Sequence, residues 1–543
     1  MINELKLTIK TSPLKTIFIL IFGWIIMILL NYFLNENGFF TGTRITFPIS
    51  VVYFSKFTPL GILFSFVFLF SGLYILNRYK NLNTKQLIIS YIVLIILGNL
   101  AQGSIHQTFY RSFIDTDFQY YHDAISIKNG FEFISNYNQI QDSLTMHAKT
   151  HPPFTVWIHY IFLKVTNNSV LGLAILLSSI GLFTVVPLIK ILNIFSTEKS
   201  TRNILTLIFA LIPAVNIYSI VSIDSNFLCY TLIFLYGLLK INQENKISLQ
   251  GIILATLGFT LANFISFSGT FLAAFTFFYC AYKFFSEKKT FPLINFIFVA
   301  IIFLFILAIT NFTLDYNHIQ AFFQASKSEN PNGFRGFHQP LVYLFTRIED
   351  ISEILLFLSF GFFAYLFSPR VFNIDSSKIY FKLSIIAFAT LFLMFLTGAY
   401  GTGETARACL YIYPFFLFLL IDIKNIQILK NIAYIALFQT SRSYSKGAFQ
   451  GSWQNRKSKQ LDIRLDMLLS NRENLDKMNQ SINDLVDSTK NSVNEKCSRI
   501  KEAFLSEFDD EIAQNYYIQG KALSPKHITL DRTLITDESN LVL

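Results

Sequence analysis

Three aspartates, Asp115, Asp117 and Asp123, crowd beside His122 and a tyrosine pair in the stretch DTDFQYYHDA at 115–124. Carboxylates so placed can take the proton of an attacking hydroxyl as a general base, or hold a divalent cation between them. Asp115 and Asp117 are therefore the first candidates for chemistry, although a long loop is polar in any case. A second candidate is THPPFTVW at 150–157. Pro152 and Pro153 suit the first turn of a helix, which puts His151 at the helix's positive end, where it can hydrogen-bond a phosphate or a carboxylate. The plainer alternative is a loop histidine at a helix start.

The third candidate is GAYGTGETARACLYIYPF at 398–415. Its glycines loosen the backbone ahead of an apolar helix, and Glu404 and Arg407, three residues apart, share a helical face. The planar guanidinium of Arg407 can grip phosphate oxygens through paired hydrogen bonds, or it can simply snorkel and pair with Glu404. Asp224, in YSIVSIDSNF, suits the capping of the helix that follows. The loop at 326–350 carries Arg335, His338, Arg347, Glu349 and Asp350, either lining an entrance or serving as a solvated connection.

These residues interrupt a chain of another character. Of its 543 residues 52% are hydrophobic, Phe alone numbers 61, and the mean hydropathy is +0.46. A soluble domain rarely holds that balance over such a length, so the chain reads as a membrane protein. Its apolar runs are about 20 residues long and do not alternate, which predicts an all-α polytopic bundle rather than a barrel. About twelve spans are expected, near 14–34, 58–77, 86–103, 170–194, 203–221, 224–240, 249–266, 268–285, 291–311, 351–369, 379–398 and 408–422. The first is too long for a cleaved signal.

The net charge of +10 matters through its placement rather than as a nucleic-acid footprint. Lys6, Lys10 and Lys15 put the N-terminus in the cytoplasm. The clusters Arg78/Lys80/Lys85, Lys190/Lys199/Arg202, Lys283/Lys288/Lys289 and Arg370/Lys378/Lys382 then fall on the same side. That pattern holds if 153–166, short and interrupted by Trp157, His159 and Lys164, lies along the interface instead of crossing. The segments 104–152 and 312–350, Asp224 and 399–407 then share the non-cytoplasmic face. The four cysteines are scattered and show neither a disulfide framework nor zinc spacing.

The domain reading is a membrane domain over 1–430, with external loops at 104–152 and 312–350. A polar linker or truncated span follows at 431–460, and a charged, amphipathic, coiled-coil-like cytoplasmic tail at 461–543.

Taken in order, DTDFQYYHDA, THPPF, SIVSID, GFRGFHQPLVYLF and GETARACLYIYPF resemble the GT-C superfamily of polytopic, mannosyltransferase-like glycosyltransferases that use polyprenyl-phosphate-linked sugars. The resemblance covers roughly residues 85–430 and implies transfer of a sugar to an acceptor hydroxyl outside the cytoplasm. It implies Asp117 as the catalytic base, with Asp115 second, and Arg407 on the lipid phosphate of the donor. Glu404, His151 and Arg335 would stand around that phosphate or the acceptor. The partners implied are the lipid-linked donor, a glycan, lipid or protein acceptor, and the bilayer (the plasma membrane in a bacterium), with no nucleic acid. The one cofactor candidate is a divalent cation held by Asp115 and Asp117. The competing reading is a multi-pass transporter or lipid flippase. It expects charges and repeats within the spans, whereas here the charges gather at one surface.

Overall fold

The computed structural model describes residues 13–36, 58–115, 119–195, 197–244, 246–366, 377–400 and 404–442, with Lys501 and Leu505. Every regular element among them is helical. Four helical stretches are long and apolar enough to cross a membrane: Pro59–Asn81, Val170–Ile194, Phe291–Leu314 and Ile379–Leu396. Ile21–Leu34, Thr84–Leu100 and Leu249–Ile265 are apolar but shorter. The fold is that of an all-α membrane protein.

Several expected spans are broken, each at a residue that explains the break. The run at 203–221 divides into Lys199–Leu211 and Pro213–Tyr218, because Pro213 has no N–H to continue the ladder. The Asn216 amide repairs part of the damage, donating to the Ala210 carbonyl at 2.9 Å and the Leu94 carbonyl at 3.1 Å. The run at 351–369 belongs to a helix that already starts at Pro340 and ends at Leu358. Ser359, at φ 104°, turns the chain into Phe360–Leu366. The run at 408–422 is reduced to a 3₁₀ turn and a short helix, Tyr413–Phe418.

Two helices lie backbone against backbone. Ile223–Glu244 and Leu249–Ile265 cross through Gly237 and Gly258. A Cβ at Gly237 would stand 2.4 Å from the Ala255 backbone nitrogen, and one at Gly258 would stand 2.4 Å from that of Phe234. Small residues at such a crossing let the backbones touch, which is how helices associate where no hydrophobic force separates them from lipid.

The loop at 104–152 folds into short helices, among them Ile105–Phe109, Arg111–Ile114, Tyr120–Ser126 and Gly130–Ile140. Polar side chains tie it to the other long loop. The Gln141 amide donates to Lys149 O at 2.8 Å and Ala321 O at 3.0 Å. Asn138 exchanges hydrogen bonds with the Asn317 backbone at 3.0 and 2.9 Å. Pro153 opens a helix to Val165, with Thr155 and His159 on its buried side and Trp157 partly exposed.

Residues 426–442 form one helix that buries Leu429, Ile432, Ala433, Ala436 and Leu437. Its end is bound by Ser65, donating to Ser441 O at 3.0 Å, and by Gln102, donating to Thr440 O at 2.9 Å. The coiled-coil expectation for the tail lies outside the described residues.

Candidate functional site

Arg407 organises the site. The four-residue helix Thr405–Ala408 carries it, entered from Glu404 in a left-handed conformation at φ 62°. Its Nη1 lies 2.8 Å from Glu404 Oε2, the local pair their spacing suggests. Its Nε lies 3.2 Å from Asp224 Oδ2. Asp224 therefore does more than cap a helix. It sits in the first turn of Ile223–Glu244, its backbone N–H donating to the Ser222 hydroxyl at 3.2 Å, while its carboxylate turns to Arg407. Val221, at φ 54°, makes the tight turn that delivers it. Burial works against a charged guanidinium here, but Glu404 and then Asp224 hold Arg407 firmly protonated.

A cavity of about 40 Å³ opens beside this pair, lined by Ser112, Gln119, Tyr120, His147, His159 and Tyr218 as well as Asp224 and Arg407. It has room for a few waters. The Tyr120 ring, in the cavity wall, lies 5.4 Å from the His151 ring, 5.5 Å from that of His159 and 6.2 Å from that of His147. Burial, with the Asp224 charge adding to it, raises the Tyr120 phenol well above its ordinary range and keeps it a donor.

Burial likewise pushes His151 and His159 down to about 4, so both rings are neutral at pH 7. Each engages a backbone carbonyl through Nδ1: His151 that of His147 at 3.1 Å, and His159 that of Thr155 at 2.7 Å. The other ring nitrogen is then the acceptor of a neutral imidazole, suited to a hydroxyl.

The sequence candidates divide. Arg407, Glu404 and Asp224 are bound together, and His151 stands one ring away through Tyr120. Asp115 is exposed at the end of Arg111–Ile114. Asp117 lies outside the described residues, but the chain on both sides of it, through Ser112 and Phe113 and through Gln119 and Tyr120, lines the cavity. Arg335 is exposed and donates to Gln339 at 3.2 Å, apart from the cavity lining. Asp123 faces Thr145, whose backbone N–H and hydroxyl both donate to its carboxylate; burial still raises it above the usual carboxylate range.

His147, His159 and Tyr218 were not singled out for chemistry, because each reads locally as an isolated polar or aromatic residue. Among the described residues, no group of three or more His, Cys, Asp and Glu is arranged to hold a metal ion.

No protein-family model matches the chain, and no curated protein matches it. Among solved structures it is similar to the crystal structure of ArnT from Cupriavidus metallidurans in the apo state, at 11% identity and a TM-score of 0.34. The likeness covers 64% of this chain and 59% of that one, less than two thirds of that structure's length. It is too slight to carry an argument about the site.

Proposed function

We propose that this chain is an inverting membrane glycosyltransferase of GT-C type that moves a sugar from a polyprenyl-phosphate donor to an acceptor hydroxyl on the non-cytoplasmic face. One observation carries the reading: a half-buried, permanently charged Arg407 stands at the wall of a small cavity flanked by both arms of the segment that bears Asp117. In this mechanism the Asp117 carboxylate takes the acceptor's proton as its oxygen bonds to the sugar's anomeric carbon. The bond from that carbon to the phosphate oxygen breaks, and the polyprenyl phosphate leaves with the electron pair. Arg407 stabilises the charge that develops on the phosphate.

Arg407 begins this reaction with two carboxylates already on it. An arriving phosphate competes with them for the guanidinium, and in this reading Glu404, on the short turn, is the partner that yields. The neutral imidazoles of His151 and His159 and the Tyr120 phenol then offer hydrogen bonds and a ring face to the sugar. The non-cytoplasmic placement rests on the distribution of Lys and Arg along the chain. Asp115 is the second choice as base, and any divalent cation would rest on it and Asp117. Glycan, lipid and protein acceptors all offer the hydroxyl required.

The test is sugar transfer in proteoliposomes with a panel of polyprenyl-phosphate sugars, comparing wild type with Asp117→Asn. Release of lipid phosphate by wild type, abolished in Asp117→Asn while donor binding persists, is the expected outcome. Undiminished turnover in the variant removes Asp117 from the role. Failure of folded wild type with every donor favours the transporter reading.

A further inference from the structure

The helix Pro340–Leu358 buries four charged side chains, Arg347, Glu349, Asp350 and Glu353, of which Arg347 is 8% exposed and Asp350 fully covered. Three of the four engage a single stretch of chain. The Arg347 guanidinium donates to the carbonyls of Ala399 and Tyr400, each at 2.6 Å. Thr405 donates its hydroxyl to Asp350 Oδ1 at 2.6 Å, and the Ala406 backbone N–H donates to Glu353 Oε1 at 3.3 Å. Arg347 and Asp350 are themselves paired, Nη2 to Oδ2 at 3.1 Å. One helix thus holds the chain just before 401–403, the sequence GTG, and again just after it.

Buried charges this numerous are costly unless each is satisfied, and removing one partner leaves another stranded. Their directed use on the two arms of one loop indicates a role beyond packing. We infer that Arg347, Asp350 and Glu353 form a clamp that positions Arg407 for the donor phosphate, with Asp350 and Thr405 as its decisive contact. The inference rests on the transferase reading for what Arg407 binds; the clamp itself rests on these contacts. Thr405 and Ala406 immediately precede Arg407, so the clamp fixes the first turn of Thr405–Ala408 and the direction in which the guanidinium leaves it. These are positioning residues: they touch the loop, and Arg407 touches the phosphate.

The experiment uses the full chain in proteoliposomes with two readouts, transfer kinetics and hydrogen–deuterium exchange of the 399–410 backbone. Thr405→Val removes the donated hydrogen bond at nearly constant shape, and Thr405→Ser restores it. The clamp predicts that Thr405→Val raises KM for the lipid-linked donor at least several-fold, leaves KM for the acceptor unchanged, and speeds exchange at Ala406–Leu410. Thr405→Ser should return both quantities to wild-type values. Asp350→Ala, which removes the acceptor, should raise donor KM and speed exchange in the same direction. Unchanged donor KM in folded Thr405→Val, where Arg407→Lys raises it, overturns the positioning role. If wild type transfers no sugar, the transferase reading falls while exchange still decides the clamp: unchanged exchange in Thr405→Val overturns it, and faster exchange reversed by Thr405→Ser supports it.

Discussion

Asp224 and Arg407, remote in sequence, meet at 3.2 Å between Oδ2 and Nε, and their contact joins the start of one long helix to the turn that precedes another apolar segment. With Glu404 Oε2 2.8 Å from Nη1, two carboxylates from separate elements hold the guanidinium.

A lysine cannot reproduce that geometry, since an ammonium is a point charge without paired planar donors. Arg407→Lys is expected to lower kcat/KM for the donor at least about tenfold, equivalent to roughly 1.4 kcal/mol of lost transition-state binding. Steady-state transfer with a defined polyprenyl-phosphate sugar measures it; a variant within twofold of wild type would remove Arg407 from the phosphate.

Neutralising Asp224 separates its structural part from its chemical part. Asp224→Asn leaves Arg407 with Glu404 alone, so stability should fall by about 1–3 kcal/mol while the freer guanidinium binds the donor phosphate more tightly. Thermal unfolding in detergent and donor KM are the measurements. Loss of all turnover in this variant, with Asp117→Asn still active, would transfer the role of base to Asp224.

Acidification should weaken the fold through its histidines. Burial holds His151, His159 and His318 down to about 4 in the folded chain, whereas in the unfolded chain each titrates near 6.5. Between those values the unfolded state binds protons that the folded state refuses. Their stabilising effect is complete above about 6.5 and is lost as pH falls towards 4. The apparent Tm is expected to drop between pH 7 and pH 5. His151→Gln should reduce that drop, and an identical pH dependence in the variant would exclude His151 as a contributor.

The helix crossing gives a prediction independent of the site. Gly258→Ala places a methyl where the Phe234 backbone already stands, which overpacking studies put at about 1–3 kcal/mol. Thermal unfolding should show the loss, while Gly23→Ala, which would meet nothing within 4 Å, should leave stability nearly unchanged.

What could be read before the structure follows the range of each interaction. Hydropathy marks all-α membrane character because the bilayer imposes one length scale on every span. Glu404 with Arg407 is visible because the pair is local, and His151 because Pro152 and Pro153 announce a helix start. The partner of Arg407 across the fold is invisible to any spacing rule, so Asp224 reads as a cap until its carboxylate is seen turned away. Glu353 immediately precedes the apolar run ILLFL, and nothing local distinguishes it from a stray charge. Arg335 matches its context by residue type, yet its loop leaves it in solvent.

The glycine crossing has a mechanical corollary for catalysis. Because Ile223–Glu244 and Leu249–Ile265 lie backbone against backbone, they behave as a single stiff beam with Asp224 near one end. That end is an anvil. On the transferase reading, the parts left to shift as a donor arrives are the small helices around Tyr120, because the turn at 404–408 is itself held by Asp350 and Glu353.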